Sequence, residues 1–113
     1  MKIKKSNERG FVVFVLDESI DLFKIPHLKE LLLNEIDKDE PKKIVFNLGE
    51  VNYMDSAVLG LFVLIFKKYI KKSDVRFCNL STKAQKAFHL TAFDQFFNID
   101  ATEEESLGFY NRY

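Results

Sequence analysis

Apolar runs without a polar face alternate along this chain with stretches of helical period. Residues 11–16, Phe-Val-Val-Phe-Val-Leu, are apolar throughout and, Leu16 apart, β-branched or aromatic. Such a run predicts a central strand covered on both faces. Residues 43–48 and 75–80 have similar character and predict two more strands. Between the first two strands, Leu28, Leu31, Leu32 and Ile36 recur at helical spacing, with Lys29, Glu30 and Glu35 on the other face. Pro26 suits the first turn of that helix. Residues 37–42 are charged, carry Pro41 and predict a loop.

Residues 57–66 form an unbroken apolar run of ten, which predicts a second helix over about 57–71. Lys67, Lys68, Lys71 and Lys72 close it where the helix dipole favours cations. Thr82-Lys83-Ala84-Gln85 has the S/T-x-x-Q form of a capping box and opens a third helix, capped by Thr82 and running to about Leu90. Residues 96–99 read as a last short strand. Thr102, followed by Glu103, Glu104 and Glu105, starts a terminal helix with acids in its first turn. At the other end, residues 3–5 predict an edge strand and residues 7–10 a hairpin turn.

The predicted order is β-β-α-β-α-β-α-β-α. Strands alternating with helices imply an α/β fold with a mainly parallel sheet, right-handed crossovers and helices packed against it. The opening hairpin makes the sheet mixed. A length of 113 residues suits one domain over 1–113.

Composition narrows the classes of function. Hydrophobic residues make up 47% and charged residues 30%, so the chain is globular rather than disordered. Lys+Arg and Asp+Glu are equal at 17 each, so no net field favours nucleic acid or an anionic membrane. The ten-residue apolar run is too short to span a bilayer. Residues 1–7 lack the apolar centre of a signal peptide. The single cysteine, Cys78, leaves no internal disulfide and fits a reducing compartment, so a cytoplasmic location is expected.

Catalytic and metal chemistry find little support. His27 and His89 are far apart and lack carboxylates at ligand spacing, so neither a metal site nor a cofactor is expected. Cys78 alternates with Phe77 within a strand and reads as a small buried hydrophobe. The glycines at 10, 49, 60 and 108 form no phosphate loop. No catalytic constellation assembles, which points to a non-enzyme.

One pair stands out. Asp55 and Ser56 fall between the strand at 43–48 and the apolar helix, at the helix N-terminus. Unpartnered backbone N–H groups there can be capped by Asp or Ser, or can accept a phosphate. The helix itself carries two apolar faces. Leu59, Phe62, Val63 and Phe66 share one, and Val58, Leu61, Ile65 and Tyr69 share another. Neighbouring helices or a partner protein could cover the second face.

Residues 47–60, Asn-Leu-Gly-Glu-Val-Asn-Tyr-Met-Asp-Ser-Ala-Val-Leu-Gly, resemble the L-x-x-V-x-x-M-D-S-S/T-G-L-G signature of STAS domains, and within them the stand-alone bacterial anti-sigma factor antagonists. Residues 86–93 are similar to the family's later R-L-F-x-x-T/S-G-L segment, and residues 16–21 to its early L-x-G-E-L/I-D segment. The resemblance implies a STAS-like fold over nearly the whole chain. It implies a phosphorylation-controlled partner switch in transcription regulation, with a serine kinase that doubles as anti-sigma factor for partner. A serine phosphatase is a further candidate partner. Ser56 matches the phosphoacceptor, Asp55 the neighbouring acid, and Asp21 an acid of the partner-facing loop. With these, Ala57, Val58 and Leu61 are expected to form the partner-binding surface.

The chain departs from the pattern at four positions. Ala57 stands where the family usually has Ser or Thr, and Val58 where it has Gly. Glu18 replaces an early Gly, and Lys24 replaces a small helix cap. The bulk of Val58 beside Ser56 is expected to alter kinase access. Two alternatives stay open: a constitutive STAS adaptor subunit of a transporter or signalling complex, and a small-ligand or nucleotide-binding module.

Overall fold

The computed structural model describes residues 2–6, 10–17 and 20–108. A five-stranded sheet runs in the order β1-β2-β3-β4-β5, with β1 Lys2–Ser6, β2 Phe11–Val15, β3 Lys43–Asn47, β4 Asp74–Cys78 and β5 Asn98–Asp100. β1 pairs antiparallel to β2, and the remaining neighbours pair in parallel. The connecting helices are α1 Ile25–Asp39, α2 Ser56–Tyr69 and α3 Thr82–Leu90, with α4 Glu103–Leu107 closing the described chain. The expected mixed, mainly parallel α/β fold is therefore what forms. Of the hairpin turn at 7–10, residues 7–9 lie outside the described residues, as do Glu18 and Ser19.

Strands that follow one another in sequence are neighbours in the sheet. Right-handed crossovers then set α1, α2 and α3 on one face. Strand alternation sends Val12, Phe14 and Leu16 into the core beneath these helices, while Val13 and Val15 join Val45, Cys78 and Leu107 on the other face. That second face receives α4, which lies against β3, β4 and β5. Burial on both faces explains why the strands read as continuous apolar runs.

Phenylalanines fix where α2 sits. Phe14, Phe46 and Phe77 are register partners on β2, β3 and β4 and stack with centroids 5.4 and 5.2 Å apart. Phe62 of α2 lies over this row, 5.3 Å from Phe46 and 5.0 Å from Phe77. Offset and tilted rings add about 0.5–1.5 kcal/mol per pair beyond area burial. The row anchors the middle of α2 over the sheet. Its N-terminus therefore projects at the carboxyl end of β3, where open parallel sheets present their sites.

Several boundaries differ from the sequence reading. α1 continues to Asp39, because the charges at 37–39 lie on its exposed side, where Asp37 also accepts from the Tyr69 hydroxyl at 2.6 Å; the helix stops at Glu40, left-handed at φ 45°, just before Pro41. The cap of α3 is Ser81, not Thr82: its hydroxyl accepts from Ala84 N at 3.1 Å. The last strand is Asn98–Asp100 rather than 96–99. Phe97 N donates to Phe93 O in a turn, and the Phe97 ring packs 4.7 Å from Phe77, so Phe97 belongs to the core and not to the ladder, while Phe96 stays exposed. Lys24 makes no side-chain cap; a 3-10 turn, Leu22–Lys24, runs straight into α1.

Candidate functional site

The segment between β3 and α2 is pinned by its own side chains. Asn47 Oδ1 accepts from Gly49 N at 3.0 Å and from Asn79 Nδ2 at 3.2 Å. A Cβ on Gly49 would collide with the Asn79 side chain, so the close approach requires glycine. Ser81 Oγ donates to Val51 O at 2.8 Å. Further on, Ile20 N donates to Tyr53 O at 3.0 Å, and Ile20 forms a parallel bridge with Met54. These ties deliver Asp55 in extended conformation, φ −100° and ψ 177°, at the N-cap of α2.

Asp55 does two things at once. Its Oδ1 accepts from Ala57 N at 3.0 Å and from Val58 N at 3.3 Å, capping α2. Its Oδ2 accepts from Leu22 N at 3.1 Å, on the separate 20–24 segment. Asp21 Oδ1 accepts from Phe23 N at 3.0 Å and turns that segment into its 3-10 geometry. One half-buried carboxylate thus joins the start of α2 to a loop far away in sequence. The link to Leu22 lay outside the sequence reading, which offered Asp55 as a cap candidate and as the acid beside the acceptor in the partner-binding set. Its signal was the good N-cap residue one place before an apolar helix.

Ser56 is the first residue of α2, exposed, and its hydroxyl has no hydrogen-bond partner among the described residues. The capping role falls on Asp55. Around the pair stand exposed apolar side chains: Leu22 at 63% exposure, Phe23 at 91% and Tyr53 at 50%. Sequence periodicity missed Leu22 and Phe23. Phe23 falls off the 28-32-36 stripe that α1 buries, which was the available signal. Beside this loop, Leu16, Ile20, Phe23, Leu28 and Leu31 line a groove of about 410 Å³.

The expected partner surface is partly corrected. Asp21, Ser56 and the half-buried Ala57 lie at the rim formed by the loop and the helix start. Val58 is 0% exposed and Leu61 4%, so both belong to the core and neither offers a surface contact. α2 buries both its apolar faces, against the sheet and beneath α1. The bulk of Val58 is wholly buried and adds nothing to the surface around Ser56.

Elsewhere, side-chain chemistry ties the sheet together. Burial tends to raise the Asp100 carboxyl, yet hydrogen bonds from Arg76 (2.7 Å) and Ser106 (2.7 Å), with the Arg76 and Lys43 charges, hold it below the usual carboxylate range. Burial pushes the Cys78 thiol up to about 11 against the opposing Ser106 hydrogen bond, with Glu103 and Asp100 adding to the rise. Such a thiol is inert. His27 is exposed on α1, and His89 Nδ1 lies 3.2 Å from Asp94. Among the described residues no group of three or more His, Cys, Asp or Glu could hold a metal ion. No described helix is long and apolar enough to cross a membrane.

Four parallel strands, connecting helices returning over one face and a helix start exposed at the carboxyl end of β3 define a mixed α/β domain. The sequence model of the STAS domain matches residues 2–106, and the chain belongs to the STAS domain family. It is 33% identical over 101 residues to an anti-sigma-B factor antagonist of Bacillus subtilis strain 168, covering 88% of this chain and 90% of that protein. It is 31% identical over 109 residues to one of Listeria monocytogenes, covering 96% and 94%. Among solved structures, an anti-sigma factor antagonist from Mycobacterium paratuberculosis superposes with a TM-score of 0.84 at 20% identity, over 95% of this chain and 89% of that one. The antagonist SpoIIAA in its unphosphorylated form gives 0.76 at 21%, over 94% and 91%. At those identities the structures speak for the fold.

Proposed function

We propose that this chain is an anti-sigma factor antagonist that works by partner switching. It binds a serine kinase/anti-sigma factor while Ser56 is free and releases it once Ser56 carries phosphate. It is a binding protein rather than an enzyme, acting in the cytoplasm. The relatives named anti-sigma-B factor antagonists, one of them 33% identical, support the class. The observation that carries the switch is the exposed Ser56 hydroxyl at the first position of α2, beside Asp55 and the exposed Leu22, Phe23 and Tyr53.

Physical reasoning makes phosphate an effective off-signal there. It adds roughly −1.5 to −2 charge. The helix N-terminus returns only about 0.3–2 kcal/mol of stabilisation. The Asp55 and Asp21 carboxylates repel the new charge, and apolar side chains that would contact a partner lose by being held next to it. A deficit of about 2.7 kcal/mol is a hundredfold in affinity.

Incubation with an anti-sigma kinase and ATP should add one phosphate, on Ser56. Ser73 and Ser106 are buried, with hydroxyls donated to Pro41 O and to Asp100, and should stay unmodified. Intact-mass and peptide mass spectrometry reads the outcome. Phosphate mapped to another serine, with Ser56→Ala still fully modified, would sink the switch and favour a constitutive adaptor.

A further inference from the structure

The exposed side of α2 carries a second message, one turn beyond Ser56. Gly60 sits in the helix interior, where glycine costs roughly 0.8–1.0 kcal/mol relative to alanine. Nothing inside the domain demands it. Its φ is not positive, and an added Cβ would meet no atom within 4 Å. The bare backbone faces solvent. Leu64, 38% exposed, follows on the same side. Beyond it stand Lys67, Lys68 and Lys71, all exposed and in no ion pair among the described residues, Lys68 with its ammonium 5.7 Å from the Tyr69 ring centroid. Complementing the dipole accounts for cations in the last turn of α2, but Lys71 lies past the end of the helix at Tyr69.

We propose that the partner lays an amphipathic helix along this ridge, crossing closest at Gly60. The proposal rests on the reading above, that a protein partner binds at Ser56. A notch without a side chain lets two helices approach toward the short end of the usual 8–10 Å axial range (roughly). An apolar residue of the partner meets Leu64. Acidic residues at one end of its helix meet Lys67, Lys68 and Lys71, a local positive patch on a chain of zero net charge. The opposite end of the ridge is negative, with Asp55 beside Ser56, so the charge gradient fixes the direction in which the partner helix lies. A helix suits the ridge because α2 offers about 21 Å of straight surface over its 14 residues. A strand would need a free sheet edge, which this face lacks.

The probe is the purified anti-sigma-B factor of Bacillus subtilis, titrated calorimetrically with the full chain, with thermal melts as folding control. Wild type should bind and Ser56→Asp should bind far more weakly. Gly60→Gln should melt no lower than wild type, because glutamine is the better helix former, yet bind at least tenfold more weakly. The triple variant Lys67→Glu, Lys68→Glu, Lys71→Glu should also lose at least tenfold and flatten the salt dependence. Lys83→Glu with Lys86→Glu, on α3, should bind like wild type. If wild type binds and both ridge variants match it, the ridge is refuted while the switch survives. An equal loss in the α3 variant would refute it too, by making the charge effect general. If wild type does not bind this factor, the antagonist reading fails for this class of partner and the ridge fails with it.

Discussion

Replacing Asp55 with alanine removes three acceptor contacts in one step, to Ala57 N, Val58 N and Leu22 N. Loss of an N-cap costs about 0.5–2 kcal/mol. Leu22 N is on the surface, so water replaces part of its bond, and its net loss is about 0.5–1.5 kcal/mol. Together these amount to about 1–3.5 kcal/mol. For a domain near 100 residues, a loss of about 2 kcal/mol lowers Tm by roughly 8–16 °C. Asp55→Asn separates the two roles. Asparagine caps about as well as aspartate. Its Nδ2 cannot accept from Leu22 N, so only the loop bond is lost. Urea unfolding gives the energies, and amide exchange assigns them to places. Leu22 should exchange faster in both variants, whereas Ala57 and Val58 should do so only in Asp55→Ala. Stability of Asp55→Ala within about 0.5 kcal/mol of wild type would refute the bridging carboxylate. So would an asparagine variant as damaged as the alanine one.

Three further outcomes follow from the same geometry. Ser56→Ala should melt within about 0.5 kcal/mol of wild type, because the exposed hydroxyl caps nothing; a loss of 1 kcal/mol or more by urea titration (about the cost of a lost cap) would return the cap to Ser56. Gly49→Ala should destabilise by about 1–3 kcal/mol through collision with Asn79, and Asn79→Gly in the same chain, which suits the left-handed backbone there, should recover part of that loss in thermal melts. The unfolded Cys78 thiol ionises near 8.5 and the folded one only near 11, so the unfolded chain sheds its proton first and stability should fall as pH rises between about 8.5 and 11. Chemical denaturation across that range tests it, and a Cys78→Ala chain with the same slope would refute it.

The sheet was legible because burial on both faces leaves a composition that periodicity cannot disguise. Phe11–Val15 and Lys43–Asn47 are apolar at adjacent positions on both faces, which a surface helix or one-sided strand would not tolerate. The errors fall where a residue's local chemistry serves a distant contact. Phe96 and Phe97 look like strand, yet Phe97 is recruited by Phe77 and Phe88 into the aromatic core and the ladder starts only at Asn98. Thr82 and Ser81 are both fair caps. The decision came from backbone conformation: Ser81 is extended at φ −61° and ψ 164°, and its hydroxyl also reaches Val51 O on another loop. Propensity at one position carries no trace of that second partner.

At the site the same logic decides which half of the reading survives. Placing Asp55 and Ser56 at a strand-to-helix junction needed only an apolar run after a pair of cap formers, and the junction is there. Which of the two caps depends on which keeps an extended backbone, and the ties from Ile20 to Tyr53 and Met54 give that conformation to Asp55. The hydroxyl of Ser56 is thereby left without structural duty, which makes it available for chemistry. Periodicity does not separate Val58 and Leu61 from a partner surface, because α2 is apolar nearly all round and its hydrophobic pattern has no weak side to point at solvent. The weak side is marked instead by what is missing. Ser56 and Gly60 are four residues apart, Leu64 four further, and Lys67 continues that line at the 3.6-residue period. On a helix with surplus hydrophobicity, the small and polar positions locate the exposed face, and here that face begins at the serine.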